Sequence, residues 1–370
     1  MRILVLTPRY SLSGVPLAQI RFAKALSDIG HEVCIVIGTL NAGYKAPTID
    51  GVDIIILKKN RVIKMIGSII RIVNMKKPEI IFSAEDHLNI LLLICSYFFI
   101  KKPLISCSSR VTPYDTYSNV PFTKRWALKI LMHILMKRAD VLSCVSKEMV
   151  GQYRQIFKNS KHQAIYNIVE KVNKNKSSFN RDDESWFNEA RKVVIGAGML
   201  APWKGFSDLI EAFLLIPREL DLKLIIIGDG PLKSDLQRLI KLNNAEKFIK
   251  LRGYVDNSYD FFERADIFVL SSHVEGLPNV LVEALISGCS IVSTDCRTGP
   301  KEVLRNGEFG KIVPVGDLNL IAKAIIELDQ KPFDSNKIKE AIEPFSRESV
   351  IESHRIALKI NERDFYPKRK

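Results

Sequence analysis

The run Ser271-Ser-His-Val-Glu275-Gly-Leu-Pro278-Asn279-Val-Leu-Val-Glu283-Ala-Leu places two carboxylates eight positions apart around a helix start. An apolar strand ends before Ser271, the loop turns at Gly276, and Pro278 opens a helix. The first-turn amides of Asn279, Val280 and Leu281 have no intrahelical acceptor and can cradle an anion. Glu275 stands in the loop just before them. Glu283 lies one turn inside the helix among Leu281, Val282, Ala284 and Leu285. A carboxylate in apolar surroundings needs a partner, because an unpaired buried charge is expensive. Two ribose hydroxyls, each donating to one oxygen, would serve; a lysine elsewhere in the chain is the other solution. As a spaced pair flanking a helix N-terminus, the two glutamates favour a ligand.

Two glycine loops add to this. Gly196-Ala-Gly198-Met-Leu-Ala201 follows an apolar run and fits G-x-G-x-x-A, but Pro202-Trp-Lys204-Gly205 stands where a dinucleotide-binding helix would already run. Lys204 puts a cation near the start of the next helix, and both features attract phosphate. Ile227-Gly-Asp-Gly-Pro231 reads first as a tight turn with proline at the first helical position, and second as a backbone contact to a cofactor. The histidines share no metal-ligand spacing, and no Asp-x-Asp occurs. A metal-clamped diphosphate is unsupported, so neither metal nor cofactor is expected.

These loops must be positioned by the elements around them. Apolar runs at Ile3–Leu6, Glu32–Ile37, Ile54–Leu57, Glu79–Phe82, Leu104–Ser106 and Val141–Val145 alternate with amphipathic stretches, beginning with Pro16–Ile29. The theme restarts at Val193–Ile195 and continues through Lys223–Ile227, Ile249–Leu251, Ile267–Leu270, Ser290–Ser293 and Lys311–Val313. Between the two halves, 171–184 is polar and charged. Such alternation predicts α/β architecture, two doubly wound parallel sheets facing across a cleft. The expected division is 1–170, a linker 171–190, a second domain 191–345, and a helix within 346–370 returning to the first domain. With 370 residues, 46% apolar and 26% charged, the chain is long enough for two cores and is not disordered.

Charge is distributed unevenly. Residues 1–170 carry 24 Lys and Arg against 11 Asp and Glu, while the remainder carries 31 against 30, for a total of +14. A basic half implies an anionic surface as partner. The six cysteines form no C-x-x-C pair and sit in apolar runs, which suits free thiols in a reducing compartment. The opening residues break at Pro8 and read as a strand, not a secretion signal. The apolar run 90–100 is too short for the roughly 18–20 residues of a bilayer span. A soluble or surface-bound protein is expected.

The segment Glu-Gly-Leu-Pro-Asn-Val-Leu-Val-Glu-Ala resembles the signature of retaining glycosyltransferases of family 4, which have the GT-B fold of two Rossmann-like domains. Gly198–Gly205, Leu224–Pro231, Gly253-Tyr-Val, Ala265–Val269 and Gly310–Asp317 stand in the usual order, and Ser293–Glu302 looks like the branch that builds bacterial surface and lipid-linked oligosaccharides. The resemblance covers nearly the whole chain. It implies that Glu283 holds the nucleotide ribose, Glu275 faces the donor sugar, Lys204 meets the diphosphate with the amides of Asn279, Val280 and Leu281, and Gly198 lines the loop. Gly14, in Ser13-Gly-Val-Pro16, matches a glycine loop that approaches the donor phosphates. His87, in Ser83–Asn89, and Arg110 match acceptor-side positions, and with Glu275 and Lys204 His87 is a catalytic candidate; a lone histidine is otherwise a structural hydrogen-bonder, and an arginine there an exposed loop cation. One departure stands out: Met199 occupies the place of a usual arginine, and Arg297 or Lys301 is the cation that could compensate for it.

The resemblance implies transfer from a UDP-sugar to a lipid-linked or oligosaccharide acceptor, without a metal, at the inner face of the cytoplasmic membrane. Two basic amphipathic stretches, 58–77 and 122–138, suit either an anionic membrane or packing on their own sheet with solvated lysines. Nucleic acid is not expected, since no zinc finger or RNP-type strand is present. The competing functions are a UDP-sugar epimerase or hydrolase on the same fold, a dinucleotide-dependent oxidoreductase, and a non-catalytic surface binder.

Overall fold

The computed structural model describes residues 1–11, 14–41, 43–158, 160–171, 178–333 and 338–366. The chain forms two compact units, Met1–Ile168 with Phe345–Lys370, and Val169–Pro344. Each is a parallel sheet with alternating helices, as the periodicity predicts.

Among the described residues, the first sheet comprises β1 (Arg2–Tyr10), β2 (Glu32–Leu40), β3 (Val52–Ile56), β4 (Ile80–Ala84), β5 (Leu104–Ser109), β6 (Val141–Cys144) and β7 (His162–Ala164), in the order β3-β2-β1-β4-β5-β6-β7. The second comprises β8 (Lys192–Ala197), β9 (Leu222–Ile227), β10 (Ile249–Gly253), β11 (Ile267–Leu270), β12 (Ser290–Thr294) and β13 (Lys311–Val313), in the order β10-β9-β8-β11-β12-β13. Central strands such as β9 are buried along their whole length, which is why they read as apolar runs; in β9 Lys223 alone interrupts the run, its Nζ donating to Glu189. Strand order reverses between β1 and β4 in one sheet and between β8 and β11 in the other. The crevice beyond the carboxyl ends at such a reversal is where doubly wound sheets hold ligands.

Two elements differ from the periodicity reading. Strand β1 runs past Pro8 to Tyr10. Its pairing with β4 ends at Leu6–Ser83, so the strand is a local edge there, where proline is tolerated. Part of the polar stretch expected as linker is a helix, Arg181–Asn188; residues 172–177 lie outside the described residues. Its polar side chains serve structure: Asn180 and Asp183 form a capping box, and the fully buried Asp183 accepts from Arg252 Nε at 2.6 Å. Near the chain end, the helix Arg347–Ala357 buries Val350, Ile351 and His354 on the first unit. There His354 packs on Phe22 and Phe82.

Candidate active site

In the second unit the reversal crevice is bounded by the loop after β8 and the loop after β11, which carry Gly198–Gly205 and Ser271–Pro278. The two loops touch closely. Gly205 has φ +62°, and a Cβ there would lie 2.1 Å from Ser271 O, so only glycine admits this approach. His273 N–H donates to Trp203 O at 2.8 Å, and His273 Nε2 lies 2.7 Å from Asp208 Oδ2. Gly228 brings the third loop in: its Cβ would overlap Gly198 O at 1.8 Å. The Gly228–Pro231 loop is a tight turn, as its signature suggested first, but the helix after it begins at Lys233, so Pro231 lies before the first helical position.

This closeness unites two of the predicted residues. Lys204 Nζ donates to Glu275 Oε1 at 2.5 Å, and Ser272 Oγ donates to the same oxygen at 2.7 Å. Thr298 Oγ1 donates to the Glu275 carbonyl. Glu275 is thus held at both side chain and backbone, while its second oxygen, Oε2, has no protein partner among the described residues. A fixed carboxylate with one free oxygen, beside a half-buried ammonium, suits a polyhydroxyl group next to a phosphate. Cys296 is buried within the field of the pair; burial, then Glu275, pushes its thiol up to about 12, so it stays protonated.

Glu283 is buried in the helix Asn279–Ile286 and accepts from Ser258 Oγ at 3.2 Å. The first-turn amides are less available than the spacing suggests. Pro278 adopts φ −77°, ψ 86°, an inverse γ-turn geometry. It turns the Asn279 N–H onto Leu277 O (3.0 Å), and the Leu281 N–H donates to Pro278 O (2.9 Å). Val280 alone of the three makes no such loop bond among the described residues. Met199 is half exposed, Arg297 is exposed, and Lys301 pairs with Asp295 at 2.6 Å.

In the first unit, Gly14 begins the helix Gly14–Asp28, and a Cβ there would meet open space. Nothing in this unit itself demands glycine at that position. His87 is exposed in the first turn of the helix Asp86–Cys95, whereas its neighbour Asp86 is fully buried and accepts from Ser109 Oγ and Tyr153 OH, both at 2.6 Å. Arg110 is not an exposed loop cation. Its Nη1 donates to Asn167 Oδ1, its Nε is buried without a partner, and burial draws its guanidinium down to about 10. Burial, then that guanidinium, pushes His354 down to about 3, so His354 is neutral at working pH.

Sequence reasoning missed Ser272, Thr298 and Ser258. The first sits three residues before Glu275, a spacing at which a hydroxyl can reach a loop carboxylate; the others come from elements remote in sequence and left no local signal.

Two doubly wound units, with functional loops at a strand-order reversal, define the GT-B class of fold. HepE from Anabaena, solved in complex with UDP and glucose, superposes with a TM-score of 0.76 over 97% of this chain and 99% of its own, at 17% identity. Residues 178–344 match the family described as Glycosyl transferases group 1. An uncharacterized glycosyltransferase of Methanocaldococcus jannaschii is 30% identical over 66% of this chain and 62% of its own length. The N-acetylgalactosamine-N,N'-diacetylbacillosaminyl-diphospho-undecaprenol 4-alpha-N-acetylgalactosaminyltransferase of Campylobacter jejuni is 30% identical over 60% of each chain. This chain therefore spans about three-fifths of the length of these curated relatives.

Proposed function

We propose that the protein transfers a hexose or N-acetylhexosamine from a UDP-sugar to a saccharide acceptor, lipid-linked in the favoured case, with retention, in O-antigen, capsule or related glycan synthesis. The observation that carries this is Glu275: one oxygen fixed by Lys204 and Ser272, the other free, at the strand-order reversal of the second unit. In this reading Glu275 Oε2 accepts from a hydroxyl of the donor hexose. Lys204 turns from Glu275 to the diphosphate and stabilises the negative charge that develops as the sugar leaves, an electrostatic task. The Val280 amide assists, Gly198 and Gly14 leave room, and Glu283 accepts from the ribose hydroxyls. The departing phosphate oxygen takes the proton of the attacking hydroxyl, so no protein nucleophile is required. His87 and Arg110 stand on the acceptor side. The relatives support this reading: one is named for transfer to a diphospho-undecaprenol-linked saccharide, another was solved with UDP.

The acceptor class also fits the surface of the first unit. No helix among the described residues is long and apolar enough to cross a membrane. The first unit nonetheless exposes Phe98, Ile100, Phe122 and Ile134 amid lysines. We place this unit on the anionic inner leaflet, with all six cysteines free and buried as a reducing compartment allows.

Calorimetry with UDP separates the two glutamates. Glu283→Ala should weaken UDP by about 10- to 100-fold, the worth of hydrogen bonds to a charged group. Glu275→Ala should bind UDP like the parent and transfer no sugar. Equal UDP affinity in the two variants would remove the assignment. Because the phosphate charge is met by Lys204, transfer should persist in excess EDTA; full loss restored by Mn²⁺ would overturn the metal-free reading.

A further inference from the structure

The first unit has its own reversal crevice, between the carboxyl ends of β1 and β4, and the residue that leaves β4 there is Glu85. Its backbone adopts φ 77°, ψ 130°. Side chains rarely occupy that region, glycine does so freely, and such strain persists where the surroundings over-determine it and the side chain is needed. The surroundings here do over-determine it. Glu85 N–H donates to Ser108 O at the end of β5 (3.1 Å), while its carbonyl accepts from Leu88 N–H (3.0 Å) and Asn89 N–H (2.9 Å) to start the next helix. Asn89 Nδ2 also donates to Ser108 O at 2.9 Å.

None of these bonds uses the carboxylate, which caps nothing and has no hydrogen-bond partner among the described residues. It is half-buried, and its field is set by two cations, Arg9 at the end of β1 and Arg110 after β5. Burial pushes its carboxyl upward, Arg9 and Arg110 pull it back, and Asp86 adds to the rise. Arg110 itself has a buried Nε with no acceptor. A strained backbone thus presents an unpartnered carboxylate, in the field of Arg9 and Arg110, at the place where such a sheet binds its ligand.

We propose that Glu85 is the residue of the first unit that accepts hydrogen bonds from hydroxyls of the acceptor saccharide. Arg9 and Arg110 hold its charge, and the left-handed backbone aims it. The assignment rests on the transferase reading and moves the contact within Ser83–Asn89 from His87, which the motif singled out, to Glu85. Carboxylate–hydroxyl bonds of this kind fix which hydroxyl approaches the donor sugar, so the residue is an acceptor-contact and specificity residue.

The experiment uses the full chain, a panel of UDP-hexoses and UDP-N-acetylhexosamines, and N-acetylglucosamine diphosphate on a short polyprenyl chain as acceptor probe. Two rates are read: transfer to the probe, and the slow hydrolysis of the UDP-sugar by water, which needs no acceptor. Glu85→Gln should lower kcat/KM for the acceptor about 10- to 100-fold, chiefly through KM, and leave hydrolysis unchanged. Glu85→Gly should raise the thermal midpoint by about 2–4 °C as strain is relieved, and still lose transfer. A merely structural glutamate would not give that opposition. Parental transfer in Glu85→Gln, or a lowered midpoint in Glu85→Gly, overturns the assignment while the transferase reading stands. Loss of hydrolysis in Glu85→Gln overturns it too, since the residue would then serve the donor. Parent protein that neither transfers nor hydrolyses any UDP-sugar overturns the transferase reading, and this assignment with it.

Discussion

Replacing Lys204 by Met is expected to lower sugar transfer about 10²- to 10³-fold, the usual effect of removing one preorganised group aimed at developing charge. The structure adds a second consequence. Lys204 and Glu275 neutralise one another at 2.5 Å, with side-chain exposures of 18% and 9%. Removing the lysine leaves a nearly buried carboxylate supported by Ser272 alone. Breaking a fully buried pair costs about 3–5 kcal/mol; with this residual exposure the loss should be smaller, on the order of 1–3 kcal/mol. Removing the carboxylate instead leaves a long side chain that reaches water, so Glu275→Gln should cost less. The double variant should regain stability lost by Lys204→Met without regaining activity, a coupling that a double-mutant cycle measures directly. Glu275→Gln should also bind UDP at least as tightly as the parent, because the diphosphate no longer competes with a carboxylate for Lys204. Additive stabilities in the cycle, or weaker UDP binding by Glu275→Gln, would break the link between the pair and the phosphate.

How much of this was legible in the sequence depends on what each residue answers to. Glu283 was visible because a carboxylate among apolar neighbours is costly unless used, and Glu275 because it stands at a fixed spacing from it in the loop before the helix start. Lys204 was visible from its loop, yet its pairing with Glu275 was not: the contact depends on Gly205 and Ser271 meeting at a distance that only the folded sheet sets. The amides of Asn279 and Leu281 looked free because a helix start has orphan donors as a rule. Pro278, which announces that start, also makes the γ-turn that occupies one of them. Polarity misled at 181–188, where the charges that suggested a linker are spent on a helix cap and on Arg252. Glu85 left no trace, since strain is a property of φ and ψ that residue type alone does not report. The same holds for Arg110, whose burial follows from neighbours that converge only when the sheet forms.

The two basic stretches, alike in composition, part company in the structure, and this shapes the second large expected effect. The helix Ile66–Lys76 buries Ile69 and Val73 on its own unit, so packing explains most of its apolar stripe. The helix Lys124–Leu135 buries only Met132 and Leu135. Ile130, Leu131 and Ile134 stay exposed, and Phe122 before it is 95% exposed. The adjoining turn exposes Tyr97, Phe98 and Ile100 beside Lys101 and Lys102. Arg138 ties the two segments together, stacking on Tyr97 at 4.0 Å and donating to Ser96 Oγ at 2.8 Å. Not every cation here is available to lipid. Arg125 donates to Tyr114 O and Tyr117 O, and Lys129 to Asn119 Oδ1. Lys102 is likewise held, by Asp140 at 3.3 Å, so the informative variant changes Lys77, Lys101, Lys124 and Lys137 to Gln. At about 1 kcal/mol per charge near an anionic surface, these four should weaken binding to anionic vesicles roughly 10³-fold. High salt should do the same to the parent, since attraction is screened within about a Debye length, some 8–10 Å at physiological ionic strength. Phe122→Ser with Ile134→Ser should remove the part that salt does not, because burying an aromatic or large aliphatic side chain is worth about 1.5–3 kcal/mol. Transfer to a lipid-linked acceptor in vesicles should fall with binding in both variants. Hydrolysis of UDP-sugar should not, because the four lysines and two apolar residues lie in the first unit and Lys204 and Glu275 in the second. Vesicle flotation unchanged in the four-lysine variant would assign the basic surface to another partner, and the exposed stripe of 130–134 would then need a protein to cover it.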